Sequence, residues 1–196
     1  MDTLGRHRRP DRPAARHPGS DLPQPVRRLL LDRTDTERGP RAARYNATVE
    51  SAAALAADTG FAWLRPVAGA GCKLRRVTLG VIAGASTPTS QQVEVGLART
   101  TNAGTTPGGS VTGAKLDPNS PAANCLFHTS YATPPTVTSP DQYKVAFNSQ
   151  SGVDLPWELL EELIIAAGTT DGIAFINRLN ALPAAHKLVM SVEWEE

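Results

Sequence analysis

The chain has 196 residues, a formal net charge of +1, and 40% hydrophobic but only 5% aromatic residues. This length suits one good-sized core, or one domain with an appendage. No run approaches the roughly 18 to 20 apolar residues that cross a bilayer. The N-terminus also lacks the apolar stretch of a secretory signal. We therefore expect no membrane contact and a soluble chain made in the cytoplasm of its producer.

Residues 1–44 form a basic, proline-rich segment with 11 arginines, 6 acidic residues and 6 of the chain's 16 prolines. Residues 45–196 are mildly acidic, with 9 basic and 13 acidic side chains. A segment with so few aliphatic residues cannot bury enough apolar surface to offset its loss of conformational entropy. The sequence therefore predicts a disordered or extended arm over residues 1–44 and a β domain over residues 45–196.

Three interpretations of the arm stay open. It orders on a partner protein, it contacts nucleic acid, or it reflects a mis-assigned translation start in GC-rich DNA. Nucleic acid is the weakest, because Asp and Pro interrupt the basic residues and no aromatic residue lies among them. If the arm docks on a partner, its anchor is the single aliphatic cluster with its neighbouring arginines. These residues are Val26, Arg27, Arg28, Leu29, Leu30, Leu31 and Arg33.

From residue 45 onward, short alternating runs with turn signals between them predict eight or nine strands and no helix. The clearest run is Gln91–Arg99, in which Val93, Val95 and Leu97 point inward. Such a pattern is typical of an antiparallel β-sandwich, here jelly-roll-like.

The last forty residues predict three consecutive strands. The runs 163–166 and 173–176 are joined by the link 168–172, which has glycine at both ends and favours a hairpin. The terminal run 188–194 alternates with a period of two, so we expect one face to be buried. The residues of that face are Leu188, Met190, Val192 and Trp194.

Three other segments give less regular signals. A strand is expected over Cys72–Ala83, with Leu74 on the face opposite Val77, and with a solvated basic cluster at its start. The run 158–162 could be scored as helix, but we interpret it as a strand or edge because Pro156 precedes it. The long polar region Thr100–Asn124 has strand potential only over residues 110–116, and long links of this kind often make contacts.

Cys72 and Cys125 lack the spacing of a metal site. We prefer two buried free thiols, although a disulfide stays open because sequence cannot place the two Cα atoms. His128 is interpreted as a core or interface side chain rather than a general base.

No motif of known enzyme chemistry occurs in the chain. Four acidic residues cluster near residue 158, yet glycoside cleavage needs an aromatic-lined cleft, so an acidic rim is the better interpretation. They are Asp154, Glu158, Glu161 and Glu162. The sequence therefore predicts no catalytic residue, metal ligand or cofactor, and a protein that is not an enzyme.

The C-terminal block carries a resemblance to a known class of proteins. Its parts are Leu155-Pro156-Trp157, the glycine-bounded link 168–172 and the ending Ser191–Glu196, together with residues 45–57 and 79–81. Over residues 45–196 the chain resembles small head-decoration and minor capsid proteins of tailed bacteriophages that infect actinobacteria. The resemblance implies a non-enzymatic virion protein that binds the major capsid protein or other virion proteins. Self-association into a homo-oligomer stays open, with a trimer favoured.

An alternative is a carbohydrate- or receptor-binding β-sandwich module of a phage tail or fibre, because jelly rolls also occur as lectins. Trp63, Tyr131 and Trp157 would then be the candidates to stack on sugar rings, although scattered aromatic residues in strands usually belong to the core.

Overall fold

A computed structural model describes residues 42–67, 69–158, 161–168 and 170–196. No helix occurs in this part of the chain, and all strand pairs in it are antiparallel. The prediction of an all-β, antiparallel sandwich is therefore confirmed. The strands are β1 (Arg44–Glu50), β2 (Thr59–Arg65), β3 (Cys72–Ile82), β4 (Gln92–Arg99), β5 (Thr105–Gly108), β6 (Val111–Thr112), β7 (Ala114–Lys115), β8 (Leu126–His128), β9 (Ser130–Thr133), β10 (Tyr143–Asn148), β11 (Val153–Pro156), β12 (Leu163–Ile165), β13 (Ile173–Asn177) and β14 (Lys187–Glu195).

The strands form two six-stranded sheets and one small ribbon. The first sheet has the order β11-β3-β14-β1-β7, and β12 pairs with β3 on the edge it shares with β11. The second sheet has the order β10-β4-β13-β2-β8-β6, and β5 pairs with β9 in the ribbon. The pairs are nested along the chain, since β1 pairs with β14, β2 with β13, β3 with β11 and β4 with β10. The main body is thus a long hairpin folded over into two sheets.

The inner faces of the two sheets enclose one apolar core. Trp194 on β14 is 0% exposed, and its ring centroid lies 5.8 Å from that of Tyr45 and 5.7 Å from that of Phe127 in the second sheet. Leu188, Met190 and Val192 are also fully buried. The predicted buried face of the terminal strand is therefore confirmed. Val93, Val95 and Leu97 are buried as well.

The hairpin predicted at residues 168–172 is wrong. β12 pairs with β3 in the first sheet, whereas β13 pairs with β2 and β4 in the second. The link therefore crosses between the sheets. The Asp171 carboxylate accepts hydrogen bonds from the backbone N–H groups of Ala166 and Gly172, each at 2.9 Å. Glycine residues indicate that the chain turns, but they do not indicate which strand it pairs with next.

The alternation predicted for β3 fails near its start. Leu74 and Val77 are both fully buried, although an unbroken strand would place them on opposite faces. The pairing of β3 with β14 shifts its register here, because Glu193 faces Arg76 while Trp194 faces Leu74. Arg75 is the extra residue of a β-bulge, which returns the following apolar residues to the core.

Two further expectations need correction. Glu158, Glu161 and Glu162 lie outside any strand, and β12 begins only at Leu163. The region 100–124 contains β5 in addition to β6 and β7, which occupy the predicted run 110–116. β5 was missed because Pro107 lies within it, and a proline argues against a strand unless the strand is an edge.

Candidate functional site

The seven residues predicted to anchor the arm lie outside the part of the chain that the structure describes. Their docking role stays a prediction. Paired backbone begins slightly before the predicted boundary at Tyr45, because Ala43 exchanges two backbone hydrogen bonds with Glu196, at 2.9 and 3.1 Å.

A second, smaller apolar cluster lies on the outer face of the second sheet. Tyr131 on β9 and Val137 pack against it, and the Tyr131 ring meets the Trp63 ring edge-on with centroids 5.0 Å apart. The cluster consists of Trp63, Ala98, Ala174 and Ile176. The polar region between β4 and β10 thus folds back onto the sheet, and both faces of β2 are covered.

Arg65, the last residue of β2, is enclosed at the margin of this cluster with only 8% of its surface exposed. Its Nη1 donates to the carbonyl oxygen of Ala103 and lies 3.5 Å from the Tyr131 hydroxyl. Nε is buried and has no hydrogen-bond partner. Within the described ranges, no carboxylate forms an ion pair with Arg65. A buried charge without a counterion is costly, so this guanidinium is an unusual feature.

His128, the last residue of β8, lies beside Arg65 and is half-buried. Its Nδ1 is 2.9 Å from the Ser110 hydroxyl oxygen, and its ring meets the Tyr131 ring edge-on with centroids 5.5 Å apart. Burial, and then the positive charge of Arg65, lower the pKa of His128. Burial raises the pKa of Tyr131, while its contact with Arg65 opposes that change. The neutral imidazole and the neutral phenol are therefore favoured around the guanidinium.

Arg65 and His128 lie in the wall of an open cleft of about 270 Å³. Gly104 has a φ of +65°, and a Cβ there would lie 2.8 Å from the carbonyl oxygen of Thr133, so only glycine fits the wall at this point. Thr106 has a φ of +47°, a conformation that β-branched residues rarely adopt. The cleft is lined by Arg65, Pro66, Val67, Ala103, Gly104, Pro107, Leu126 and His128.

The arrangement suits binding of a small anion with an apolar stem. The walls are mainly prolines and aliphatic side chains, and Arg65 is the only Lys, Arg, Asp or Glu among the described lining residues. The Ser110–His128 hydrogen bond brings a hydroxyl to an imidazole, as in nucleophilic catalysis, but that chemistry also needs a group that orients the imidazole. Among the described residues, no carboxylate hydrogen-bonds to the His128 ring.

Two acidic residues of the predicted rim, Asp154 and Glu162, pair with two arginines of the predicted basic cluster of β3. The Asp154 carboxylate accepts hydrogen bonds from Arg76 at 2.6 and 2.8 Å, and these bonds lower its pKa. Glu162 pairs with Arg75, which also reaches Glu195 at 2.6 Å. The side chain of Arg75 is enclosed, so the expectation of a solvated basic cluster is wrong for this residue.

Cys72 and Cys125 are free and buried, as preferred from the sequence. They lie on facing sheets, at the start of β3 and just before β8. The adjacent Cys72 thiol, and then burial, raise the pKa of Cys125. Both cysteines are therefore part of the core.

The aromatic residues considered for sugar stacking have different environments. Trp63 is buried beneath Tyr131, so its ring is not open to a ligand. Trp157 is half-buried at the sandwich edge and meets the ring of Tyr143 edge-on, with centroids 5.8 Å apart. Nearby on the same edge of β3, Ile164 on β12 is 56% exposed. We call Tyr143, Trp157 and Ile164 the edge surface.

The sequence did not single out Arg65 or Ser110, and of the edge surface it named only Trp157. One feature of the sequence could have indicated the cleft. Arg65 ends an apolar strand and directly precedes Pro66. Ser110 reaches His128 only because β6 pairs with β8, which the polar sequence around it does not reveal.

In the described part of the chain, no three His, Cys, Asp or Glu residues are grouped so that they could hold a metal ion. That part also contains no helix that is long and apolar enough to span a membrane. In comparisons with known proteins, no family model, curated protein or solved structure matches this chain.

Proposed function

We propose that the protein is a non-enzymatic structural component of a bacteriophage virion, a head-decoration or minor capsid protein that binds the major capsid protein. The observation that carries this proposal is the nested strand pairing of the sandwich. We interpret the orders β1-β14-β3-β11 and β2-β13-β4-β10 as an eight-stranded jelly roll. Jelly rolls are used in viral capsid domains and in lectins.

The packing supports a role that depends on outer surfaces. Large apolar side chains from both sheets fill the space between them, so a partner must bind at an edge, an outer face or a loop. The edge surface is the best-suited apolar region, since Tyr143 and Ile164 lie on β10 and β12, which are both edge strands. Tyr143 is 42% exposed there, and tyrosine is enriched in protein interfaces.

The arm extends the proposed interface. Burying Val26, Leu29 and Leu30 at about 25 cal/mol per Å² would offset the cost of ordering a short segment. Arg27 and Arg33 would add attraction to an acidic partner surface, although exposed ion pairs contribute only about 0 to 1 kcal/mol each. In this proposal the protein is located in the virion and self-associates, with a trimer as the favoured state.

The test is binding of the purified full chain to particles of the producing phage that lack it. Ile164→Asp should weaken binding, because it places a charge in the apolar interface. Leu116→Asp is the matched control, since Leu116 is 52% exposed beside β7 on the opposite edge of the same sheet. A Leu30→Asp variant of the full chain tests the arm in the same way. Equal binding by Ile164→Asp and Leu116→Asp would remove the edge surface from the interface.

A second candidate is a carbohydrate- or receptor-binding module of a tail or fibre. The observation that favours it is the Tyr143–Trp157 pair, which offers aromatic surface at the sandwich edge. Glycan-array binding that is lost in Trp157→Ala, together with no retention on heads, would favour this candidate over the capsid role.

A further inference from the structure

We infer that the cleft beside Arg65 binds the carboxylate of a glutamate or aspartate side chain presented by a partner protein. This inference goes beyond the proposed function, because it holds for any partner with an accessible acidic residue. It starts from the guanidinium, which is almost completely enclosed at 8% exposure and has no carboxylate partner among the described residues.

Some N–H groups of the Arg65 guanidinium have no acceptor among the described residues. It carries five N–H groups in a fixed fork. Nη1 faces the carbonyl oxygen of Ala103 and the Tyr131 hydroxyl, whereas Nε is buried without a partner. Nη2 makes no hydrogen bond within the described ranges. Nε has no accessible surface, so a ligand reaches the guanidinium at Nη2, which is not one of the fully buried atoms. A carboxylate in the cleft would accept a charge-assisted hydrogen bond from Nη2, and such bonds are stronger than those between neutral groups.

The cleft accommodates a side chain better than a sugar. Its volume of about 270 Å³ lies just below the usual range for small-molecule sites. Pro66, Pro107 and Leu126 offer apolar contact for the methylene groups of an acidic side chain. The nearby Trp63 ring does not offer a face to a sugar, because it is buried and the Tyr131 ring packs against it.

The pKa of His128 should report carboxylate binding at Arg65. The groups facing its ring are Arg65, which is charged, and Tyr131 and Ser110, which are neutral around pH 7. A carboxylate bound to Arg65 would offset the positive charge beside the imidazole. Its binding should therefore raise the pKa of His128 toward the ordinary histidine value, which ring resonances report directly.

The experiment titrates the isotope-labelled full chain by NMR with a blocked glutamate, N-acetylglutamic acid 1-amide, and with its glutamine analogue. We expect saturable shifts of the Arg65 Nε–H and His128 ring signals with the glutamate compound and none with the glutamine compound. Arg65→Met should abolish these shifts at His128, while Arg76→Met, at an exposed arginine on β3, should leave them unchanged. Equal shifts with both compounds, or none up to the solubility limit, would overturn the inference.

A second pair of variants does not require the removal of Arg65. Leu126 is the direct cross-strand neighbour of Arg65, so Leu126→Glu places a carboxylate beside the guanidinium. That variant should fold and should no longer bind the glutamate compound, because its own carboxylate occupies the site. Leu126→Gln is the control and should still bind. Retained binding in Leu126→Glu would contradict the assigned site, and tighter binding of glucuronic acid than of the blocked glutamate would replace the protein ligand with an acidic sugar.

Discussion

Trp194 provides the strongest test of how the two sheets pack. Its side chain is fully buried, its ring contacts Tyr45 and Phe127, and its Nε1 donates a 2.8 Å hydrogen bond to the Glu196 carboxylate. Glu196 also accepts hydrogen bonds from the backbone N–H groups of Asn124 and Cys125, at 2.8 Å each. One side chain therefore connects the end of the first sheet with the start of β8 in the second.

We expect Trp194→Ala to lower the free energy of unfolding by about 3 to 5 kcal/mol, as large aromatic deletions in cores do. In a domain of this size the melting temperature should fall by about 6 to 20 °C. Trp194→Phe keeps part of the ring contact but loses the hydrogen bond, and it should cost about 1 to 2 kcal/mol. Gly113→Ala should also destabilise, because its Cβ would lie 2.4 Å from the Trp194 ring.

The assay is denaturant unfolding of the full chain, followed by tryptophan fluorescence and by far-UV circular dichroism. The control is Trp157→Ala, which removes a half-buried tryptophan at the sandwich edge and should cost only about 1 to 2 kcal/mol. If Trp194→Ala costs less than about 1 kcal/mol, or no more than Trp157→Ala, the packing and the register of β14 described above are wrong.

Two further outcomes follow from the titratable groups. Because Arg76 lowers the pKa of Asp154, this carboxylate stabilises the fold above the ordinary aspartate pKa of about 3.9 and stops doing so as the pH falls through its lower folded-state value. Asp154→Asn should therefore be slightly less stable than the wild type at neutral pH and equal to it in acid, and a difference that persists in acid would contradict the ion pair. Cys72 and Cys125 should react with a thiol reagent only at the rate of unfolding, because both are buried and the pKa of Cys125 is raised. Fast labelling of the native chain would place them at the surface.

Patterns local to one strand were predictable from the sequence. The alternation of β14 gave its buried face correctly, and the predicted run Gln91–Arg99 matches β4 to within one residue. A strand with one buried face carries its own period-of-two signal, which needs no knowledge of its neighbours.

Features that depend on pairing were not predictable. The glycine-bounded link 168–172 has the composition of a hairpin, yet β12 and β13 belong to different sheets. The bulge at Arg75 is visible only in the pairing of β3 with β14. A local turn signal is equally compatible with a hairpin and with a crossing between sheets. Which of the two forms depends on the strands with which the flanking segments pair.

The candidate cleft was hidden for the same reason. Arg65 at the end of an apolar strand would ordinarily be taken as a solvated charge. It is buried because the region containing β5 and β9 folds over the outer face of the second sheet. The contact between β9 and the second sheet joins residues far apart in the chain, so local patterns do not predict it. Pro107 also argues against a strand at β5, which pairs with β9.

The proposed function makes this protein part of a virion. Cryo-electron microscopy of particles from the producing strain tests it most directly. We expect copies of a two-sheet sandwich on the head shell, with the edge formed by β10 and β12 against the major capsid protein. Particles whose density is fully assigned without this sandwich, and whose mass spectra lack its peptides while the lysate contains them, would contradict the claim.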